Sequence, residues 1–236
     1  MPDLGKFVHL LSASAALLAL ATPSTAADKK SGTERIEKSI VVLNELVRTP
    51  DDAIPEHILQ RAEAVVVIPT LIKGGFVIGA EHGKGIMSIR NRTTGSWSLP
   101  TFVQMTGGSI GWQIGVQSVD LVLLVMNKDG VEHLLDSEFK LGADASVAAG
   151  PVGRAAQAST DATMEAKILA YSRAKGLFAG VTVQGSSLKD DEDANRDLYG
   201  RKATAQEVFG MSAPAGLPPV VAKWQDALRA FAPSSR

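Results

Sequence analysis

The sequence predicts an α+β fold in which a curved, glycine-rich antiparallel sheet or small barrel lies between helices at the two ends of the chain. Three observations lead to this prediction. Apolar residues recur at helical spacing in residues 31–48 and 220–231. Short β-branched and alternating runs fill residues 64–184. Of the 22 glycines, 17 fall between Gly74 and Gly185, where they suit the bulges and close approaches of a β structure better than a helix.

The composition excludes several classes of protein. With 236 residues, 45% of them hydrophobic, the chain can bury a core, which excludes disorder as its dominant state. The 24 basic and 25 acidic residues give a net charge of -1, which argues against a general nucleic-acid binder. The chain has no cysteine, so disulfides, thiolate metal sites and cysteine nucleophiles are excluded.

The first 27 residues are predicted to be a secretory signal peptide. Lys6 precedes a mostly apolar run at residues 7–20, and small residues at 24–27 supply cleavage positions. The run is shorter than the roughly 18 residues that a membrane span requires. We therefore expect an exported protein that is periplasmic or secreted and at most peripheral to a membrane.

The first helix is predicted over residues 31–48. Ser31 and Glu34 fit a capping box. One apolar stripe follows, formed by Ile36, Ile40, Leu43 and Val47. The polar face carries three basic and three acidic residues, so packing of the stripe on the sheet is at least as good an interpretation as membrane insertion. Pro55 opens a second, short helix that ends near residue 63.

Strands are predicted from residue 64 onward. Residues 64–68 form a β-branched run, and residues 76–80 and 86–90 flank a predicted hairpin turn at 82–85. The further predicted strands are 95–100, 111–126, 139–148, 167–174 and 177–184.

Helices are predicted again towards the C-terminus. Short helices are expected at 130–137, 190–199 and 204–209, and residues 211–219 read as a linker. The last helix, 220–231, is amphipathic, and its apolar face is formed by Val221, Trp224, Leu228 and Phe231. Docking of this face on the core is preferred over contact with a membrane.

No motif points to a catalytic or cofactor-binding site. Residues 107–111 match G-x-S-x-G around Ser109, but the residues that follow alternate like a strand, whereas a nucleophile elbow needs a strand-to-helix turn. A serine hydrolase using Ser109 is therefore only a remote alternative. The histidines of the mature chain, His57, His82 and His133, are isolated from one another, so we expect neither a metal nor a cofactor.

Several blocks of sequence occur in a characteristic order. They are residues 66–69, 73–79, 83–85, 95–100, 111–121, 148–154, 193–195, 199–200 and 204–205. The most specific block is 171–181, which reads Tyr-Ser-Arg-Ala-Lys-Gly-Leu-Phe-Ala-Gly-Val. In these blocks the chain resembles the SYLF domain family over residues 33–210. We place the SYLF-like domain at 28–210, followed by a linker and C-terminal helix at 211–236.

The resemblance implies non-enzymatic lipid binding. Eukaryotic SYLF members bind phosphoinositides, partly through a basic amphipathic N-terminal helix, and some bundle actin and carry an SH3 or FYVE domain. Here the first helix is charge-balanced, and the export signal would separate the chain from cytoplasmic actin. We therefore expect phospholipids or a membrane surface as partners, with no nucleic acid and no actin, and protein partners remain unknown. The alternative function is an envelope protein–protein interaction module.

Ten basic residues are candidates for binding a phospholipid headgroup, with anionic headgroups preferred. Glycine turns can present backbone N–H groups to a phosphate, and neighbouring cations supply charge. Six candidates lie in or beside such turns: Lys73, Lys84, Arg90, Arg154, Arg173 and Lys175. Four lie in or just before the first helix: Lys29, Lys30, Arg35 and Lys38.

Overall fold

A computed structural model describes residues 24–48, 54–76, 78–110, 115–136, 138–152, 165–174, 177–178 and 182–233. Within these ranges the chain forms six helices and nine strands. The strands make one strongly curled sheet, a half-barrel that is flanked by helices from both ends of the chain. The predicted α+β class with a curved sheet is confirmed.

The helices follow the apolar periodicity of the sequence. They are α1 Ser24–Arg48, α2 Glu56–Arg61, α3 Lys128–Leu134, α4 Glu192–Tyr199, α5 Ala205–Phe209 and α6 Pro219–Phe231. α1 begins at Ser24, before its predicted start at Ser31. Residues 1–23 lie outside the described ranges, so the signal peptide remains a prediction. Within the described ranges, none of the helices is both long enough and apolar enough to cross a bilayer.

The strands are paired in the order β5-β9-β3-β2-β1-β4-β7-β6, and β8 pairs with β7. Their bounds are β1 Ala64–Phe76, β2 Ile78–Ile89, β3 Thr101–Ile110, β4 Gly115–Val125, β5 Phe139–Lys140, β6 Val147–Ala149, β7 Ile168–Ala174, β8 Leu177–Phe178 and β9 Ser187–Asp190. The pairs are antiparallel except for β6 with β7, which run parallel. The sheet is therefore mixed at one edge.

Four strand predictions were wrong. The strand expected at 139–148 is two short strands, β5 and β6, separated by a turn, and of the strand expected at 177–184 the described residues form only the two-residue β8. The hairpin turn expected at residues 82–85 lies inside β2, which pairs with β1 from Phe76 opposite Ile78 onward. The strand expected at 95–100 makes only an isolated bridge between Arg90 and Trp97, whereas β3 follows directly after it. At 82–85 the glycines were interpreted as marking a turn, whereas they lie in extended backbone inside β2.

The centre of the sheet is buried on both faces. Val65, Val67, Val122 and Leu124 belong to a core cluster with residues of α1 and α6. The alternate residues Val66, Ile68, Leu121 and Leu123 belong to a second cluster on the opposite face. Burial on both faces explains why these segments are continuously apolar rather than alternating.

A β-bulge in β1 changes which residues face α1. β1 has one more residue than β2 between Val67 and Ile72, and one more than β4 between Ile68 and Leu71. Within the bulge, Thr70 has a φ of 74°, and its N–H donates to Asp120 Oδ1 at 3.2 Å. The extra residue shifts the alternation of side chains, so that Ile72, rather than Leu71, lies on the side of the sheet that carries α1.

The bulge packs against glycines of β2. A Cβ atom at Gly85 would lie 2.2 Å from the carbonyl oxygen of Val67. One at Gly83 would lie 2.6 Å from a methyl carbon of Ile68. These two glycines of the Gly83-Lys84-Gly85 block are therefore required by close backbone approach.

The last helix, α6, docks on the core, as its apolar face predicted. The buried residues of α6 are Val220, Val221, Trp224, Leu228 and Phe231. The indole N–H of Trp224 donates to the hydroxyl of Ser88 in β2 at 2.9 Å, and both side chains are fully buried. This bond gives the buried indole N–H of Trp224 a hydrogen-bond acceptor and fixes α6 against the sheet.

We predict that Gly85→Ala destabilises the protein by about 2–4 kcal/mol, because the new methyl group overlaps the Val67 carbonyl in a region with no free space. Urea unfolding measures the change in the free energy of unfolding. Gly108→Ala in β3 is the control, since the nearest atom to its Cβ would be 3.6 Å away, and we expect a change below about 1 kcal/mol. Equal effects of the two substitutions would contradict the packing of the bulge.

Candidate functional site: a groove along the first helix

Two ion-pair clusters hold α1 on the sheet. At one of them Asp191, the N-cap residue of α4, accepts from Arg35 of α1 at 3.0 Å and lies 3.1 Å from the ammonium of Lys84 in β2. The Arg35 guanidinium also lies over the ring of Phe102, 5.0 Å from its centroid. In this cluster two cations share one carboxylate.

The second cluster has the opposite composition. Arg173 of β7 pairs with Glu45 of α1 and with Asp120 of β4, the latter at 3.2 Å. The Arg173 side chain is mostly buried, so its pairs are better shielded from water than ordinary surface ion pairs. Here two carboxylates share one cation.

The pKa of Asp191 reflects the first cluster. Burial alone would raise the pKa of this carboxyl, but the hydrogen bonds from Lys84 and Arg35 outweigh it and hold the pKa below its usual value. Asp191 also accepts from the backbone N–H of Ala194 and so caps α4. The charged form of Asp191 is therefore part of what attaches α1.

A groove runs between α1 and the β1 bulge. We call it the α1 groove and divide it into an acidic half of about 300 Å³ and a basic half of about 310 Å³. The acidic half is lined by Glu34, Glu37, Lys38, Val41, Val42, Glu45, Pro69, Thr70 and Asp120. The basic half is lined by Ser31, Glu34, Arg35, Lys38, Pro69, Thr70, Ile72, His82, Gly83 and Lys84. The halves share Glu34, Lys38, Pro69 and Thr70, so they are contiguous.

The groove combines accessible charge with exposed apolar side chains. Lys38 is exposed and has no ion-pair partner among the described residues, and the Lys84 side chain is 48% exposed despite its contact with Asp191. Val41 and Ile72 are 51% and 48% exposed and lie at the two ends of the groove. Ile72 also lies diagonal to the exposed Val116 of β4, and exposed apolar side chains that cluster in this way are typical of binding surfaces.

Three of the ten predicted lipid-binding residues come together here: Arg35, Lys38 and Lys84 line the basic half. Lys30 is exposed on α1 just before this region. Lys29 also lies in α1, but its side chain is outside the described part of the structure, and Arg154 and Lys175 are outside it entirely.

The other predicted residues make internal contacts elsewhere. Lys73 pairs with Glu81 at 2.7 Å and donates to the carbonyl of Thr182 on the opposite side of the sheet. Arg90 donates to backbone carbonyls of residues 59, 60, 232 and 233 and lies over Trp97. Burial lowers the pKa of Arg90, as does the nearby Arg92. Together with Arg173, these residues join elements of the fold to one another.

Ser109 lies within β3, where it pairs with Gly79. A nucleophile elbow places its serine on a sharp turn between a strand and a helix, and this position is in the ladder of an antiparallel pair. The geometry of the G-x-S-x-G match is that of a sheet. Among the described residues, no group of three or more histidine or carboxylate side chains is arranged to hold a metal ion.

Several residues of the groove were not among the predicted site residues: the carboxylates Glu34, Glu37 and Asp120, the strained Thr70, and the exposed Val41 and Ile72. One signal was available. Pro69 interrupts a β-branched run, and proline inside a strand marks an edge or a bulge. The other residues could not be found because their proximity depends on how α1 crosses the sheet.

The fold and the groove together define a class of protein, an α+β binding domain whose first helix forms one wall of its candidate site. Residues 106–231 match the Ysc84 family, which is described as "Las17-binding protein actin regulator". This match covers more than half of the chain. The protein belongs to the Ysc84 (SYLF) family, and the resemblance seen in the sequence is confirmed.

Two relatives illustrate the similarity. "LAS seventeen-binding protein 3" of Saccharomyces cerevisiae is 38% identical over 164 residues, which are 67% of this chain and 35% of that protein. "SH3 domain-containing YSC84-like protein 1" of Homo sapiens is 32% identical over 161 residues, which are 68% of this chain and 46% of that protein. The chain thus spans between a third and a half of the curated relatives it matches.

The expected set of partners was wrong. It named phospholipids alone, expected no actin and left protein partners unknown. The family is described as an actin regulator, and relatives are named for binding LAS seventeen or for carrying an SH3 domain, all of which indicate protein partners. The expectation failed because the export signal was used to exclude partners that the family's own description includes.

We predict that Asp191→Asn lowers the free energy of unfolding at pH 7 by about 2–4 kcal/mol, because Arg35 loses its carboxylate in a mostly buried pair. Asparagine still caps a helix, so Asp191→Ala should cost about 1 kcal/mol more. The native pKa of Asp191 is depressed, so its contribution is complete above the unfolded pKa of about 4 and disappears as the pH falls through the native pKa. Denaturant unfolding from pH 7 to pH 3 should therefore show the wild type converging on Asp191→Asn. A difference that is independent of pH would contradict the role of the charge.

Proposed function

We propose that the chain is a non-enzymatic, exported binding module that recognises phospholipid headgroups at the cell envelope through the basic half of the α1 groove. The observation that carries this proposal is the position of Lys38. It is exposed, has no ion-pair partner among the described residues, and lines the same half-groove as Lys84 and His82. A phosphate there would meet side chains that can donate hydrogen bonds and supply positive charge.

The apolar part of the groove supports the same proposal. Ile72 is half-exposed beside these cations, and Val116 of β4, on the same side of the sheet, is 82% exposed. A lipid presents a charged headgroup next to apolar chains, so a surface that places cations beside exposed aliphatic residues complements both parts. The export proposal is supported by the sequence of residues 1–27, and the position of Ser109 within β3 argues against a hydrolase that uses this serine.

A protein partner is the second candidate, favoured by the names of the relatives. Under this candidate, the chain would bind a protein through the same groove or another surface. Co-sedimentation with actin filaments is one test of it, because the family description names actin alongside Las17. A lipid site in the groove and a protein-binding surface elsewhere could be present in the same chain.

We predict that the purified protein floats with vesicles containing phosphatidylethanolamine and phosphatidylglycerol, and that Lys38→Glu weakens this binding about tenfold, because each cation near a phospholipid surface contributes on the order of 1 kcal/mol. Lys223→Glu is the matched control, since Lys223 is also an exposed helical lysine but lies on α6. High salt should weaken the wild-type binding. Equal losses in the two variants would contradict the site, and a protein that ignores the vesicles would leave the protein-partner candidate.

A further inference from the structure

We propose that the α1 groove selects a zwitterionic headgroup, with a phosphate diester in the basic half and a primary ammonium in the acidic half, as in phosphatidylethanolamine. This inference rests on the proposed phospholipid function and names the headgroup. It departs from the preference for anionic headgroups that the sequence indicated.

The acidic half carries an excess of negative charge. Glu34 and Glu37 are exposed on α1 and have no ion-pair partner among the described residues. Glu45 and Asp120 add two more carboxylates, and Arg173 supplies one positive charge to this pair. Lys38 is the one cation among the residues lining this half. Together with Arg173, which pairs with Glu45 and Asp120, it makes two cations against four carboxylates. A small cationic group is attracted there.

The basic half carries the opposite excess. Arg35 and Lys84 share the single carboxylate of Asp191, which leaves one positive charge, and Lys38 adds another. Glu34, at the boundary of the two halves, offsets one of them. The two halves share Lys38 and Pro69 in their walls, so an anion and a cation bound in them would be close neighbours. A headgroup that carries both a phosphate and an ammonium can place one group in each half.

The chemistry of the acidic half favours a primary ammonium over a quaternary one. Sites for quaternary ammonium groups are typically cages of aromatic side chains, and none of the described residues lining the acidic half is aromatic. Carboxylates instead accept hydrogen bonds, and a primary ammonium has three N–H donors. A headgroup with no cation would leave the carboxylates of the acidic half without a bound positive charge beside the phosphate, which provides discrimination against anionic lipids.

Two exposed apolar residues lie beside the basic half of the groove. In the sheet register, Ile72 lies opposite Ser118 and Gly74 opposite Val116, so Ile72 and Val116 are diagonal neighbours on the α1 side. Both are exposed, and Ile72 lines the basic half. The apolar flank formed by Ile72 and Val116 is therefore next to the phosphate, and Val41 offers a second exposed apolar contact in the acidic half.

Flotation with three vesicle compositions tests the inference: phosphatidylcholine alone, phosphatidylcholine with phosphatidylethanolamine, and phosphatidylcholine with phosphatidylglycerol. We expect the ethanolamine lipid to raise binding about five- to tenfold over phosphatidylcholine alone and to exceed phosphatidylglycerol. Glu37→Gln should remove this preference and leave binding to phosphatidylglycerol equal or stronger. Glu132→Gln, at an exposed position of α3, is the matched control and should behave as the wild type.

Each other outcome overturns the inference in a distinguishable way. Binding that is equal for ethanolamine and choline lipids, or strongest for phosphatidylglycerol, overturns headgroup selection and leaves the proposed function in place. No flotation with any vesicle overturns both. Titration with soluble glycerophosphoethanolamine and glycerophosphocholine, followed by NMR, shows whether the groove binds the headgroup of a membrane lipid or a free soluble compound. Binding of the soluble ethanolamine compound without flotation would assign the groove to a free metabolite and overturn the lipid assignment.

Discussion

The contact between the β1 bulge and the glycines of β2 is the constraint on which the groove depends. The backbone of Val67 approaches the position of Gly85 so closely that no side chain fits between them. This approach accommodates the extra residue in β1, and the extra residue brings Ile72 to the α1 side. Pro69 and Thr70 then form the floor of both halves of the groove. Without the bulge, the same strand would present a different set of side chains to α1.

The polarity of the groove follows from how α1 is held. One cluster joins two cations to one carboxylate, Asp191, and the other joins two carboxylates to one cation, Arg173. Both clusters attach the helix. The Asp191 cluster also leaves one unneutralised positive charge, and the Arg173 cluster leaves one unneutralised negative charge. The first cluster meets α1 at Arg35, near the middle of the helix, and the second meets it at Glu45, near the C-terminal end, so the excess charge changes from positive to negative along this part of α1. A chain of almost zero net charge thereby obtains a strongly polarised local surface.

The sequence predicted the fold class, five of the six helices to within a few residues and the docking of α6, because these depend on local periodicity and capping. Glu207 and Thr204 form the capping box of α5, for instance, within four consecutive residues. β3 was missed because Gly107 and Gly108 obscure its apolar alternation, and their fit depends on neighbouring strands. Of the candidate site, the sequence supplied three cations but no carboxylates, since the glutamates of α1 were considered only as part of its charge-balanced polar face. Their role depends on the crossing of α1 over Asp120, which is distant in sequence.

The presence of a basic residue beside a glycine was a poor guide to the site, because several of these residues make internal contacts instead. Arg90 and Arg173 have planar guanidinium groups with several donors, which suit them to joining backbone carbonyls or two carboxylates inside the fold. Lys38 and Lys84 keep their ammonium groups near solvent. Arg35 and Asp191 have side chains only 11% and 8% exposed, whereas that of Lys84 is 48% exposed. Lys84 is therefore the cation of this cluster that can turn from Asp191 to a bound phosphate at least cost, while Arg35 keeps α1 attached. A ligand could then enter the basic half without detaching the helix that forms its wall.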